Sequence, residues 1–288
     1  MPGAVPETDP QTSIYFLKRN DLYHDEKPYS LRFTPPNDFP RSNIVLEKHD
    51  VTIRDIRPRL KDLSFEKNGF TIMSLESKMS YDDYDDEEKL INVYLREVAD
   101  SLCAFLGAVH VQIFEHTVRK RHDEFPISTG KPYRYNQPTS MAHVDTTPEW
   151  ARDMVQKLNR DNADEVLKDR VQCVNVWKPL KGPVKDWPLA MCDPRSIKPE
   201  TDLEPCDLVY PDYVVENRQL YYSPRHEWVY LSGQQPSEAW VFLQSDTTAD
   251  VKSVPHTAFP NPLADKDAAP RESIEVRALV YYGGFDGE

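Results

Sequence analysis

Glycine is scarce in this chain of 288 residues: there are 9, against 25 prolines. With so little glycine the connections are not floppy linkers, and proline, which fixes φ, makes them long and stiff. Cysteine is rarer still. The four present, Cys103, Cys173, Cys192 and Cys206, show no close metal-type spacing, so free thiols in a cytosolic protein are expected. No apolar run approaches the length needed to cross a bilayer, and residues 1–10 lack the basic and apolar blocks of a signal peptide. Positive charge is short as well. Against 48 acidic residues stand 35 basic ones, a formal charge of −13, which argues against a nucleic-acid partner held on a basic surface. A cytoplasmic protein with no membrane and no nucleic-acid partner is the expectation left standing.

What is present begins with His143 and Asp145. Two apart on an extended strand, they leave from the same face. An imidazole and a carboxylate side by side fill two adjacent positions on a divalent metal, and a third ligand must come from elsewhere in the chain. Two His and one carboxylate on one triangular face leave the opposite face open, which suits non-haem Fe(II) and oxygen chemistry. The triplet alone reads equally well as a polar strand end with a surface ion pair. A later segment shifts that balance. As a strand it sends Ile274, Val276, Ala278 and Val280 one way and Arg271, Ser273, Glu275 and Arg277 the other. Two arginines and a serine on one side can bind a carboxylate through the planar guanidinium forks. His256, shortly before that strand, is the preferred third ligand. His226, in a Pro-Arg-His-Glu turn, is the rival; His110 and His116 read as non-ligands.

This pattern resembles the Fe(II)/2-oxoglutarate-dependent oxygenases. Segments 175–180, 188–193 and 271–277 are more closely similar to the fungal hydroxylase/desaturase group within them, which includes an aspergillic-acid pathway enzyme and a cephamycin methoxylation component. The resemblance spans roughly residues 90–282. It implies a mainly β protein with flanking α, whose core is a double-stranded β-helix (jelly roll) with helices packed outside. It also implies Fe(II), 2-oxoglutarate as cosubstrate and O2, with metal ligands His143, Asp145 and His256. Arg271 and Ser273 would hold the far carboxylate of 2-oxoglutarate. Arg277 would assist, hold the substrate, or pair with Glu275 or another barrel carboxylate. Asn175, Trp177, Tyr133 and Tyr135 would border a substrate pocket or serve as ordinary structure.

In the implied reaction, oxidative decarboxylation gives succinate and CO2, and a hydrogen atom is removed from an unactivated C–H bond of a small molecule. Related halogenases replace the carboxylate ligand with a small residue, so Asp145 speaks against halogenation and leaves hydroxylation, desaturation or oxidative cyclisation. Substrates of fungal relatives in secondary metabolism range from amino-acid-derived molecules to polyketides, and the oligomeric state stays open. Two other classes compete. A non-catalytic jelly-roll protein that binds a small molecule or partner predicts a broken metal face. A cupin-like metalloenzyme needs no 2-oxoglutarate, and the Arg271/Ser273 pair speaks against it.

Along the chain, residues 1–12 read as a disordered lead and 13–288 as a single oxygenase domain, with a core at about 109–282. Strands are expected at 13–17, 51–55, 109–114, 171–177, 188–192 and 238–244, and a wrapping loop at 28–41. The acidic run 82–88 reads as a solvated helix start favoured by the helix dipole. The helix after it carries Leu90, Val93, Tyr94, Val98, Leu102, Phe105 and Leu106 at three- and four-residue spacing, ended by Gly107. Thr147 should cap a second helix, with Pro148 first and Trp150, Met154 and Leu158 buried; a further helical piece is expected at 163–168. Residues 193–208 read as a surface loop, and 209–222 with 228–231 as a strand pair. Strand dominance after residue 106 fits an antiparallel sandwich or barrel.

Overall fold

The computed structural model describes residues 9–127, 133–248 and 253–285. Its frame is two β-sheets. The strands begin with β1 (Gln11–Leu17), β2 (Tyr29–Leu31), β3 (Leu46–Asp55), β4 (Phe70–Ser74) and β5 (His110–Lys120). They continue with β6 (His143–Val144), β7 (Val171–Pro179), β8 (Leu189–Cys192), β9 (Leu203–Val209) and β10 (Val214–Leu220). The last are β11 (Trp228–Tyr230), β12 (Glu238–Asp246), β13 (His256–Ala258) and β14 (Glu272–Tyr281). A nine-stranded sheet runs β1-β3-β11-β8-β13-β6-β10-β9-β2, and a five-stranded sheet β4-β12-β7-β14-β5. This is the expected double-stranded β-helix with helices outside.

The five-stranded sheet explains itself from sequence. Every residue of β7 is buried, the polar Gln172, Asn175 and Lys178 along with the apolar ones, as befits a strand with neighbours on both sides. On β14, Ile274, Val276, Ala278 and Val280 share one core with Tyr94, Val98 and Leu102 of the long helix laid over that face. The opposite face of β14 carries the polar set and is buried too, with Arg271, just before the strand, Ser273 and Glu275 all inside. Polar groups are tolerated there only if something satisfies them.

The helix over the sheet starts at Glu87, passes through a wider π turn at Leu90–Tyr94 and continues as α1 (Leu95–Leu106). Asp86 caps the start by accepting from the Lys89 N–H, and Gly107, at φ +66°, ends it in the left-handed region that glycine enters freely. Leu90, Tyr94, Val98 and Leu102 are buried in steps of four, so truncating Leu102 would cost about 2–5 kcal/mol. Phe105 falls off that stripe and is 44% exposed, contrary to expectation, while Leu106 takes the next place against the core.

Thr147 caps α2 (Pro148–Asn159) as expected, its hydroxyl accepting from the Trp150 N–H at 3.1 Å. The buried face differs. Ala151 and Val155 pack on Val171, Cys173 and Leu279, Leu158 is 42% exposed, and Trp150 and Met154 turn toward a cavity. Small Ala151 lets the helix seat on the sheet, which leaves the larger side chains on the flank.

Other expectations need correction. Residues 1–8 of the expected lead lie outside the described residues, and the first strand begins at Gln11 because Gln11 and Thr12 pair with Thr52 and Val51. That pairing runs to Leu17 opposite Leu46, so β3 is longer than 51–55. The 28–41 stretch contains β2, parallel to β9. The 193–208 stretch is no loop: Pro194 and Pro199 open short helical turns, where a missing N–H costs nothing, and β9 follows. Finally, β10 and β11 are not partners. β10 lies between β6 and β9, and β11 between β3 and β8.

Candidate active site

β6 brings His143 opposite His256 of β13, their rings 4.5 Å apart between centroids. Asp145 stands in the bend just after β6. One ligand atom from each of the three residues lies within 4.8 Å of the others. His143 Nε2 is 3.4 Å from Asp145 Oδ1, and His256 Nε2 is 3.4 Å from Oδ2. The other ring nitrogens are engaged: His143 Nδ1 with the Met141 carbonyl at 2.7 Å, His256 Nδ1 with that of Val254 at 3.3 Å. Each ring is thereby turned so that Nε2 faces the centre, as ligating imidazoles are commonly held.

The five-stranded sheet supplies the support. β14 lies between β5 and β7, so its inward residues form three rungs: Arg119–Ser273–Pro179, Thr117–Glu275–Trp177 and Glu115–Arg277–Asn175. From the last rung Arg277 Nη2 donates to Asp145 Oδ1 at 2.6 Å and Asn175 Nδ2 donates to Oδ2 at 2.5 Å. The Asp145 N–H donates to Gln244 Oε1 at 2.7 Å, so the carboxylate is fixed from three strands. Burial opposes its charge, but the Arg277 guanidinium and then the His256 ring outweigh that and hold Asp145 well below the usual carboxylate range. Burial likewise opposes a charged His256, and Asp145 beside it outweighs that and raises it. A divalent ion at the centre would displace that proton, since a ligating nitrogen cannot keep it.

A narrow recess beside the triad is lined by His143, His256, Trp177, Glu275, Arg119 and Arg271 among others. Arg271 lies over the Trp177 ring at 5.4 Å and donates through Nη1 to the Trp187 carbonyl at 2.9 Å. Trp187 holds φ at +43°, a left-handed conformation unusual for an aromatic residue, and so presents that carbonyl. The Asp186 carboxylate is taken by Arg121 Nε at 2.6 Å and by the Arg271 backbone N–H at 3.1 Å, not by the Arg271 guanidinium. Arg271 Nε and Ser273 Oγ are buried without partners. Burial first, then the nearby Arg119 charge, push the Arg271 guanidinium down to about 9. Two orphaned donors on a buried cation and a hydroxyl fit a carboxylate ligand, which would satisfy both.

Above the triad opens a cavity of about 780 Å³ walled by Phe114, Trp150, Met154, Tyr210 and Tyr213, with His143, Asp145 and Arg277 at its base. Trp150 and Met154 come from one face of α2. Tyr210 and Tyr213 stack at 4.5 Å in the turn between β9 and β10. None of these wall residues, nor Gln244, Asp186, Trp187 or Arg119, stood out in the sequence; only the spacing of Trp150 and Met154 marked them, and it pointed to the core.

Among the residues expected at the site, the triad, Arg271 and Ser273 come together. Trp177 lies under Arg271 in the recess, and Asn175 and Arg277 both engage Asp145 instead of the cavity contents. Tyr133 and Tyr135 do not border the cavity. Tyr133 donates to the Ile127 carbonyl at 2.6 Å, and Tyr135 turns to Asp85 at 3.2 Å beneath Lys120. These contacts fit the alternative of ordinary structure. His226 pairs with Asp202 at 3.2 Å, His116 with Glu87 at 3.2 Å, and His110 stacks on Phe285 at 4.2 Å, so none joins the triad.

A jelly roll holding a His–Asp–His triad beside a buried cationic recess is the arrangement of the non-haem Fe(II)/2-oxoglutarate-dependent oxygenases, and the chain is one of these enzymes, using Fe(II), 2-oxoglutarate and O2. A family model described as "Oxidoreductase/YMDC permease-like domain" matches residues 14–281, and the chain belongs to that family. It is similar to the Fe(II)/2-oxoglutarate-dependent dioxygenase nvfI of Aspergillus novofumigatus, 34% identical over 88% of this chain and 90% of the relative. It is also similar to the alpha-ketoglutarate-dependent dioxygenase tstK of Talaromyces stipitatus, 35% identical over 81% and 84%, and to the hydroxylase/desaturase efuI of Hormonema carpetanum, 30% identical over 81% and 83%. The solved structure of the iron and alpha-ketoglutarate-dependent endoperoxidase NvfI superposes with a TM-score of 0.82 at 31% identity, covering 96% of this chain and 99% of that one.

Proposed function

We propose that His143, Asp145 and His256 hold the iron, that Arg271 and Ser273 anchor the far carboxylate of 2-oxoglutarate, and that Arg277 and Asn175 position Asp145. The supporting observation is the orphaned donor Arg271 Nε, on a guanidinium in a recess that also reaches His143 and His256, with the equally unpartnered Ser273 Oγ two residues further along the same face. Bound there, iron with 2-oxoglutarate and oxygen supplies an oxidant for an unactivated C–H bond, with succinate and CO2 as coproducts.

The chain's own residues do the rest. Arg271 and Ser273 orient the cosubstrate so that its oxo-acid end meets the open metal face. Arg277 and Asn175 keep both Asp145 oxygens turned inward and the carboxylate charged. Phe242, edge-on to the His256 ring at 4.8 Å, and Trp177 keep water from the triad's flanks. The aromatic cavity receives a small molecule of secondary metabolism, amino-acid-derived or polyketide, and sets which C–H bond lies over the metal. Hydroxylation, desaturation and oxidative cyclisation share this start and differ in what the substrate does afterwards; a relative named as an endoperoxidase adds a fourth outcome to that set. Residues 13–288 act as one domain in the cytoplasm.

Anaerobic Fe(II) titration with and without 2-oxoglutarate tests the reading. A weak visible charge-transfer band that requires both is expected, and its absence would return the cupin-like alternative.

A further inference from the structure

Arg119 stands at the junction of the two spaces, lining both the recess that holds Arg271 and the large cavity. It is the Cα partner of Ser273 across β5 and β14, so the two side chains leave the same face about 5 Å apart. Its Nη1 donates to the Gln137 carbonyl at 2.9 Å, and no described carboxylate forms an ion pair with it. The Arg271 guanidinium has none either. Glu275, the acid in the recess, is engaged by Arg277 at 3.2 Å. Two guanidinium ions therefore face one recess beside Trp177, Leu189 and Ala258, where apolar walls strengthen their repulsion. The Asp186 and Glu275 carboxylates offset part of that repulsion on Arg271, and an anion bound between the two guanidinium groups would offset more.

We propose that Arg119 is a second guanidinium ligand of the cosubstrate: with Arg271 and Ser273 it clamps the far carboxylate of 2-oxoglutarate, and its side chain forms the partition between cosubstrate and substrate. The assignment rests on the reading of the recess as the 2-oxoglutarate pocket. It has a consequence for turnover. Succinate keeps the clamped carboxylate, so Arg119 also holds the coproduct, and succinate is a strong competitor.

The test needs no substrate. With anaerobic Fe(II) enzyme, the charge-transfer band is titrated with 2-oxoglutarate and with 2-oxopentanoate, which has the same chain length without the far carboxylate. Arg119→Gln should weaken 2-oxoglutarate by about 10- to 100-fold, change 2-oxopentanoate less than about threefold, and leave Fe(II) affinity unchanged. Arg119→Lys should fall between, and should Arg119→Gln fail to fold, the same ratio of affinities in Arg119→Lys decides. Inhibition by succinate should weaken in parallel. Unchanged 2-oxoglutarate binding in the variant would overturn the proposal, as would equal losses for both acids, which mark a merely structural arginine. A wild-type enzyme with no 2-oxoglutarate-dependent band would overturn the cosubstrate reading itself, and the clamp with it.

Discussion

Arg277 crosses from the five-stranded sheet to meet Asp145 at the end of a strand of the other sheet, Nη2 to Oδ1 at 2.6 Å. The carboxylate of the triad and the side chains that orient it thus sit on opposite walls. Hydrogen-bond partners of a ligating carboxylate commonly contribute about 10- to 100-fold in metal affinity. Arg277→Ala should lower Fe(II) affinity by that order in an equilibrium titration, with 2-oxoglutarate binding at saturating iron changed much less. The opposite pattern would exchange the roles of Arg277 and Arg271. Asn175→Ala should act in the same direction.

Arg271→Ala removes the proposed buried, charge-assisted anchor and should cost about 2–5 kcal/mol of cosubstrate binding, tens- to thousands-fold in the 2-oxoglutarate requirement, while Fe(II) still binds. Arg271→Lys should recover only part of this, because an ammonium cannot reproduce the fork. Succinate formation at graded 2-oxoglutarate concentrations reads both.

His256→Ala should abolish iron retention with the fold preserved, since its neighbours on β8 and β6 remain paired. His226→Ala should do the reverse. It removes one hydrogen bond to buried Asp202, which keeps Arg225, Thr201 and the Lys198 N–H, so it should cost about 1 kcal/mol by urea denaturation and leave iron bound. Iron loss in the His226 variant alone would reassign the third ligand.

Asp246 supplies a pH handle away from the metal. Its side chain has 0% exposure and accepts from Arg170 Nη2 and Gln172 Nε2, both at 2.7 Å. Burial opposes its charge, but the hydrogen bonds from Arg170, Thr248 and Gln172 together outweigh that and hold it below the ordinary 3.8. Because the folded value is depressed, the unfolded chain takes up the proton first. The stabilisation is full above the unfolded value and drains away as pH falls through the folded one. Asp246→Asn should flatten the acid limb of urea midpoints measured from pH 7 down to about pH 3, and lower the midpoint at neutral pH. An acid limb as steep as wild type would show that other carboxylates carry it.

Much of this site was readable from spacing. His143 and Asp145 converge as a period of two suggests, although Asp145 stands in the bend just past β6, and the same period sets Arg271, at the entry to β14, on the face of Ser273. The caps at Thr147 and Gly107 carried local signals that need no partner. What stayed hidden depends on pairing between distant segments. That Asn175 reaches Asp145 follows from its register against Arg277, which no local pattern encodes. Trp150 and Met154 had a buried helix stripe's spacing, yet Ala151 and Val155 took the sheet, because close approach favours small residues. The 193–208 stretch looked like a loop for its prolines, which instead open helical turns. Arg119 gave no signal, for a lone arginine on a strand is commonplace until its neighbours are known.

Apart from Phe114 on β5, the wall over the triad comes from outside the strands proposed to carry the metal and the cosubstrate: from the flank of α2 and the turn joining β9 to β10. Exchanging Trp150, Met154, Tyr210 or Tyr213 leaves the rungs of β14 and the His143–His256 pairing untouched. Divergence toward a new substrate can therefore proceed at the rim while the oxidising apparatus is inherited unaltered. A laboratory library confined to those two segments would be expected to keep 2-oxoglutarate consumption in most of its members even as the product changes.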